Sequence, residues 1–328
     1  GKHILLGITA GIAAYKTAAL VRLFIKAGAH VRVIMTPAAK EFITPLTLST
    51  LSKNPVISSF TDDTDDNAVW NNHVELGLWA DLFVVAPATA NTLSKMASGN
   101  SDNFLVATYL SAKCPVYFAP AMDLDMHKHP TTKTSIETLK SIGNNLIPAT
   151  SGELASGLVG EGRMAEPEAI LEHIELHVLG QLPLYGKRVL VTAGPTYEAI
   201  DPVRFIGNHS SGLMGFEIAN YAAQLGAEVV LITGPTHLKA KNSRIKIVPV
   251  MSADEMYTQV HAYFDAVDVA IASAAVADYK PKNAAPSKIK KSASTLSLEL
   301  EKTKDILASI GALKSHQLLV GFALETND

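Results

Sequence analysis

The feature that most constrains this chain is a recurring unit: a short apolar run, a turn of small residues, then a stretch with helical spacing. His3-Ile4-Leu5-Leu6-Gly7-Ile8 opens the series, Thr9-Ala10-Gly11 turns, and residues 12–27 place Ala13, Leu20, Val21, Leu23 and Phe24 on one helical face. Short runs that are apolar throughout read as strands buried on both sides, and helices between them imply parallel strands joined by right-handed crossovers. Gly28 stands where a glycine closes a helix, and runs at 31–35, 82–86 and 115–119 continue the pattern. The pattern restarts at Lys187-Arg188-Val189-Leu190-Val191-Thr192, which Gly194 and Pro195 break before a helix predicted over 212–225. The expected fold class is α/β, with two doubly wound (Rossmann-like) domains and mainly parallel sheets. The expected boundaries are 1–179, a junction at 180–186 containing Gly180, Pro183 and Gly186, and 187–328. Lys26-Ala27-Gly28-Ala29-His30-Val31 and Gln224-Leu225-Gly226-Ala227-Glu228-Val229 share a helix end, a glycine and a strand start. That likeness fits either duplication or the common grammar of α/β units.

Composition removes several alternatives. The 328 residues include 28 Lys+Arg and 31 Asp+Glu, a net charge of −3, with 48% hydrophobic and only 18% charged residues. This is too apolar for disorder and too near neutrality for nucleic acid as a main partner. Cys114 is the single cysteine, so a disulfide framework is excluded and a reducing, cytoplasmic setting is expected. No apolar run approaches the roughly 20 residues of a membrane span, and no signal peptide is expected ahead of the first strand. The low charge fraction points to surface hidden in a homo-oligomer.

Three places in the first half concentrate candidate chemistry. Gly7, Thr9, Gly11 and Ala13 put small residues between a buried strand and a helix start, where free N–H groups favour an anion. The run is not G-x-G-x-x-G, and no acidic residue ends the second strand, so a mononucleotide is favoured over a dinucleotide. Thr36, before Pro37, offers a hydroxyl to a phosphate. Pro87-Ala88-Thr89-Ala90-Asn91-Thr92 forms a flat loop at a strand's carboxyl end that suits a planar ring, and close packing or a simple N-cap is the alternative. His73 follows an N-cap at Asn72, and a helix N-terminus there favours a neutral base near pH 7.

The first half resembles the flavin-dependent cysteine decarboxylases. The match is carried by the turn and helix from Gly7 to Lys16, by Asn72-His73-Val74-Glu75-Leu76, by the Pro87 to Thr92 loop, and by Pro120-Ala121-Met122-Asp123-Leu124-Asp125-Met126. The second half resembles the phosphopantothenate–cysteine ligases through Thr192-Ala193-Gly194-Pro195-Thr196, Asp201-Pro202-Val203-Arg204, Asn208-His209-Ser210-Ser211-Gly212, Ala274-Ala275-Val276-Ala277-Asp278-Tyr279 and Lys288-Ile289-Lys290-Lys291. Both halves in this order are similar to the bifunctional enzymes of coenzyme A biosynthesis.

The resemblance implies FMN in the first domain, held by Gly7, Thr9, Gly11, Ala13, Thr36, Pro87, Ala88, Thr89, Ala90, Asn91, Thr92 and Asp102. It implies decarboxylation of phosphopantothenoylcysteine, in which oxidation of the thiol-bearing carbon creates an electron sink for the departing carboxylate. His73 matches the base, and Met122, Ala155, Gly162, Arg163 and Met164 match the substrate contacts. Asp123 stands where the family usually has asparagine, and Ser156 where it has a proton-donating cysteine. In the second domain the resemblance implies activation of phosphopantothenate by CTP as an acyl cytidylate, which cysteine's amine then attacks. Asn208 matches a donor to that intermediate and Lys288 a counter-charge for the triphosphate; the alternative for the lysine run is a solvated loop. Gly194, Ala272, Ser273, Ala274, Asp278, Asp305, Ile306 and Phe322 match the CTP contacts, with Asp278 meeting either the ribose or a magnesium ion. Trimeric decarboxylase domains, dimeric ligase domains and a further segment past Asp328, leaving the ligase domain C-terminally incomplete here, are also implied. Two rivals stand beside this reading: a nicotinamide-dependent oxidoreductase, and an FMN-binding protein of the same fold with a regulatory role.

Overall fold

A computed structural model describes residues 1–61, 70–290 and 295–323. The chain divides into two compact units, Gly1–His177 and Val178–Asp328.

In the first unit β1 (His3–Ile8) leads through a 3-10 turn at Ile12–Lys16 into α1 (Thr17–Lys26) and β2 (His30–Met35). There follow α2 (Pro45–Ser52), β3 (Val56–Ile57), α3 (His73–Trp79), β4 (Leu82–Ala88), α4 (Ala90–Ser98), α5 (Phe104–Ser111) and β5 (Val116–Pro120). The unit closes with α6 (Leu124–Lys128), α7 (Pro130–Ser141), β6 (Asn145–Leu146), a β7 (Thr150–Glu153)–β8 (Val159–Arg163) hairpin, and α8 (Pro167–Gly180). The sheet order is β3-β2-β1-β4-β5-β6, parallel throughout. Phe83 and Phe118 on the sheet and Phe104 at the start of α5 are buried to 1% exposure or less in one core, each contributing about 1.5–3 kcal/mol of apolar burial. The single helix expected over 12–27 is two pieces. The Ala14 N–H bonds back to Gly11 O (2.9 Å) and the Thr17 hydroxyl donates to Ala14 O (2.6 Å), so a tight turn replaces the first α-turn.

The second unit repeats the plan. β9 (Arg188–Ala193) is followed by a β10 (Tyr197–Ala199)–β11 (Phe205–Gly207) hairpin, α9 (Leu213–Gln224), β12 (Glu228–Thr233), β13 (Ile245–Pro249), α10 (Ala253–Phe264) and β14 (Val269–Ala272). A second hairpin, β15 (Tyr279–Pro281) with β16 (Leu300–Lys302), precedes α11 (Ile306–Leu313) and β17 (Leu318–Gly321). The sheet order is β13-β12-β9-β14-β17, again all parallel. The segment expected as a junction is folded onto this unit, where the Leu184 N–H donates to Leu225 O at 2.9 Å and its side chain joins the core. Among the described residues no helix is long and apolar enough to cross a membrane.

Each sheet reverses its strand order once, between β1 and β4 and between β9 and β14. Open parallel sheets form a ligand crevice at the carboxyl ends of strands on either side of such a reversal.

Candidate functional site

At the first reversal a threonine fastens the two loops. The Thr9 hydroxyl donates to Pro87 O (2.6 Å) and accepts from the Thr89 N–H (3.2 Å), so it braces the crevice floor. Gly7, Pro87 and Ala88 are buried in the strands beneath; a Cβ at Gly7 would meet Phe83 and Leu105 at 3.0 and 3.1 Å. Above them a cavity of about 560 Å³ is lined by Thr36, Thr89, Ala90, Asn91, Thr92, Asp102, Met122 and neighbours. Thr89 is the N-cap of α4 but makes no side-chain cap bond, which leaves the first-turn N–H groups available beside the cavity. This helix starts at Ala90, so Ala90, Asn91 and Thr92 form its first turn rather than a flat loop. The Thr36 Oγ1 is buried and has no hydrogen-bond partner. The Lys95 ammonium, 2.6 Å away, holds the Asp102 carboxyl below the usual carboxylate range.

A second cavity, also about 560 Å³, shares Met122 with the first and is lined by Gly11, Ala13, Lys16, Asp123, Glu153, Ala155, Gly162, Arg163 and Met164. The β7–β8 hairpin is its wall, seated by the Met122 N–H donating to Gly162 O at 3.0 Å. Asp123 is the N-cap of α6 without a side-chain cap bond. Ser156 is exposed in the hairpin turn and lines neither cavity. His73 is the first residue of α3, capped by Asn72, whose Oδ1 accepts from the Val74 and Glu75 N–H groups at 3.1 Å. Its Nδ1 is buried without a partner among Phe60, Trp70 and Phe104, and it too lies outside both cavities.

The second reversal has the same brace. The Thr192 Oγ1 accepts from the Ser273 N–H (3.2 Å) and the Ala274 N–H (3.3 Å), and the Ser273 hydroxyl donates to Thr192 O (2.6 Å). Gly194 turns in the left-handed region (φ +74°), and its carbonyl accepts from the Ala275 N–H at 2.9 Å. The adjoining cavity, about 500 Å³, is lined by Ala272, Ala274, Asp278, Asp305, Ile306 and Phe322 among others. Asn208 lies outside it and pins the loop from behind, donating to Val276 O at 3.0 Å. Lys288 and Lys290 are exposed and line none of it, and Lys291 lies outside the described residues. The strand of chain bearing Lys288 is anchored by Asp201, whose carboxylate accepts from the Val203, Arg204 and Ile289 N–H groups and from the Arg204 guanidinium. Burial alone would raise the Asp201 pKa, but these bonds outweigh it and hold the carboxyl well below its ordinary range. A depressed folded pKa stabilises above the ordinary value near 4 and loses that contribution as pH falls below it. The melting-temperature gap between the parent and Asp201→Asn should therefore be widest at neutral pH and narrow steadily below about pH 4.

A family model described as Flavoprotein matches residues 1–179, and one described as the DNA/pantothenate metabolism flavoprotein C-terminal domain matches 184–328. The chain is 44% identical over 329 residues to the coenzyme A biosynthesis bifunctional protein CoaBC of Bacillus subtilis (strain 168), covering 100% of this chain and 80% of that protein. The chain belongs to the CoaBC family. It is also 52% identical over 291 residues to a cysteine/cysteine sulfinic acid decarboxylase from an unknown prokaryotic organism, over 87% of this chain and 80% of that protein. A solved PPC decarboxylase mutant, complexed with pantothenoylaminoethenethiol, is 34% identical with a TM-score of 0.48, over 54% of this chain and 98% of that one.

In this CoaBC chain several lining residues escaped the sequence reading. Lys16 is nearly buried, with its Nζ 2.7 Å from Glu166 Oε1 and 3.2 Å from Met164 O, and Arg163 meets the same Glu166 at 3.5 Å. A lysine closing a turn of Ile and Ala was the available signal. Lys302 and Lys304 line the other cavity beside Asp278; they sit in a mixed-charge stretch that carries no periodic signal.

Proposed function

We propose that this chain is a bifunctional enzyme of coenzyme A biosynthesis. Its second unit joins phosphopantothenate to cysteine at the expense of CTP, and its first unit decarboxylates the product to phosphopantetheine. What supports this reading is that CoaBC proteins match the whole of this chain and that each half carries a lined cavity at the reversal point of its own sheet. A solely regulatory role is disfavoured beside full-length relatives named as enzymes.

Two features at the first reversal fit FMN, one in each of the two cavities there. Thr36 offers a buried hydroxyl with no other partner, and Gly11 leaves room, the nearest atom to an added Cβ being Thr89 Cγ2 at 3.6 Å. Thr36, the first turn of α4 and the Gly11 backbone would hold the cofactor, which supplies a two-electron acceptor when bound. Arg163, fixed by Glu166, meets the anionic substrate in the adjoining cavity, and His73 acts as proton acceptor. His73 shares neither cavity with the flavin loops, and Leu46 (75%), Ile12 (64%) and Trp70 (58%) are exposed apolar side chains on the same unit. Both features support neighbouring subunits completing each flavin site; trimeric decarboxylase units, paired ligase units and a cytoplasmic setting are what the family resemblance implies.

In the second unit a carboxylate oxygen of phosphopantothenate attacks the α-phosphorus of CTP and pyrophosphate leaves. The cysteine amine then attacks the acyl carbon, CMP leaves, and the amide nitrogen loses its proton. Lys302 and Lys304 offset the triphosphate charge and the loop at 272–278 seats the nucleoside. Magnesium would enter with the nucleotide, and Asp278 and Asp305 are the acids that line the cavity.

Supplying each substrate set separately to yellow, flavin-loaded protein tests the reading. Phosphopantothenate, cysteine, CTP and magnesium should release pyrophosphate; phosphopantothenoylcysteine alone should release CO₂. The 52% identical relative makes free cysteine and cysteine sulfinic acid the necessary controls: CO₂ from these and none from phosphopantothenoylcysteine would overturn the first-unit assignment. Thr36→Val should show opposite signs in two assays. Without flavin it should raise stability by about 1 kcal/mol, because an unpartnered buried hydroxyl is removed. It should weaken FMN binding by roughly tenfold, because a hydrogen bond to a charged phosphate is lost.

A further inference from the structure

A fourth hollow, about 310 Å³, opens in the second unit at the opposite ends of the strands from the nucleotide cavity. Strand starts build it. Arg188 is the first residue of β9, Glu228 the first of β12 and Lys246 the second of β13, with Arg244 just ahead of that strand. β12 lies between β9 and β13, and its register sets Glu228 beside Arg188 and Val230 beside Lys246. Parallel pairing therefore gathers three cations and one carboxylate on the sheet face where Val230 and the buried Val267 (2% exposed) pack, with Val229 turned to the other face. The Lys246 Nζ lies 5.0 Å from the centre of the Tyr263 ring, which fixes where its charge sits.

Among the described residues none of Arg188, Arg244, Lys246 and Glu228 forms an ion pair within the molecule. The nearby Asp268 carboxylate accepts from the Arg188 backbone N–H (2.8 Å), faces Lys187 (3.4 Å) and feels the Arg188 charge as well. Three cations line the hollow against the Glu228 carboxylate, and Asp268 shares its charge between Lys187 and Arg188, so a net positive charge remains there near pH 7, a focused field that favours an anion. Guanidinium forks match paired phosphoryl oxygens. The cations span β9 to β13, two strand spacings or roughly 10 Å, which is longer than one phosphate and suits a linked pair or trio.

We propose that this hollow binds a phosphoanion with at least two linked phosphoryl groups, free or borne by a nucleotide. The site is separate from the nucleotide cavity yet shares strands with it. β9 runs from Arg188 to the Thr192 that lines that cavity, and β14, entered from Val267, ends at its Ala272. A ligand here touches the same two strands that brace the other crevice.

The test is a calorimetric titration of the whole chain with inorganic triphosphate, pyrophosphate, ADP and, as control, sulfate, each with and without saturating CTP. Triphosphate should bind in the presence of CTP, more tightly than sulfate, and should weaken steeply with added salt. The triple variant Arg188→Gln, Arg244→Gln, Lys246→Gln should lose at least tenfold in triphosphate affinity. Its melting temperature without anions should equal or exceed the parent's, because mutual repulsion is removed. ADP binding above pyrophosphate identifies a nucleotide-borne ligand, and equal binding a free polyphosphate. Unchanged triphosphate affinity in the triple variant, or parent binding no stronger than sulfate, overturns the proposal. Neither outcome bears on CTP-dependent pyrophosphate release, so this site and the proposed ligation fail independently.

Discussion

His73→Asn should cut CO₂ release from phosphopantothenoylcysteine by roughly 100- to 10,000-fold, the usual worth of a positioned general base. The substitution should leave the flavin spectrum and CTP-dependent pyrophosphate release intact. His73 heads α3 with its Nδ1 buried and unpartnered, and the turn around it is held by Asn72 rather than by the imidazole. The helix therefore survives the exchange while the proton acceptor is lost. Stopped-flow bleaching of the flavin together with trapped CO₂ measures the effect. Bleaching at the parental rate would remove His73 from the oxidative half of the reaction.

The second large effect is expected at Gly162. Its φ of +156° is one that side-chain-bearing residues rarely adopt, and an added Cβ would come to 2.3 Å from Met122 O. That atom is backbone, adjacent to the Met122 N–H that seats the hairpin on Gly162 O. Gly162→Val must push the hairpin away from the 120–123 loop. A local cost of about 1–3 kcal/mol is expected, with decarboxylation reduced at least tenfold and ligation unchanged. Measuring both activities in one preparation separates this local effect from global unfolding, which would remove both.

The strands and the loops at both reversal points were legible because buried parallel strands leave continuous apolar runs and the turns after them are rich in small residues. The N-cap at Asn72 was legible for the same local reason. The β7–β8 hairpin was not read, since Thr150-Ser151-Gly152-Glu153 and Val159-Gly160-Glu161-Gly162-Arg163 lack an alternating apolar face. Its order comes from contacts with Met122 and Leu124 far along the chain. The burial of Lys16 and the gathering of Arg188, Arg244 and Lys246 depend on tertiary approach and strand register, which no local window contains. Conversely, residues that look alike in sequence divide by depth: Gly7 fills a packing gap while Gly11 borders open space.

Thr9, just past β1, and Thr192, near the end of β9, perform one task in two separate sheets, each tying the carboxyl end of the first strand to the chain across the reversal. Because those knots close during folding, the entropy lost in ordering each crevice floor is charged to the folding step and not to ligand capture. Flavin and nucleotide should each load in a single bimolecular phase whose rate rises linearly with concentration, without the plateau that a slow reshaping of the floor would impose.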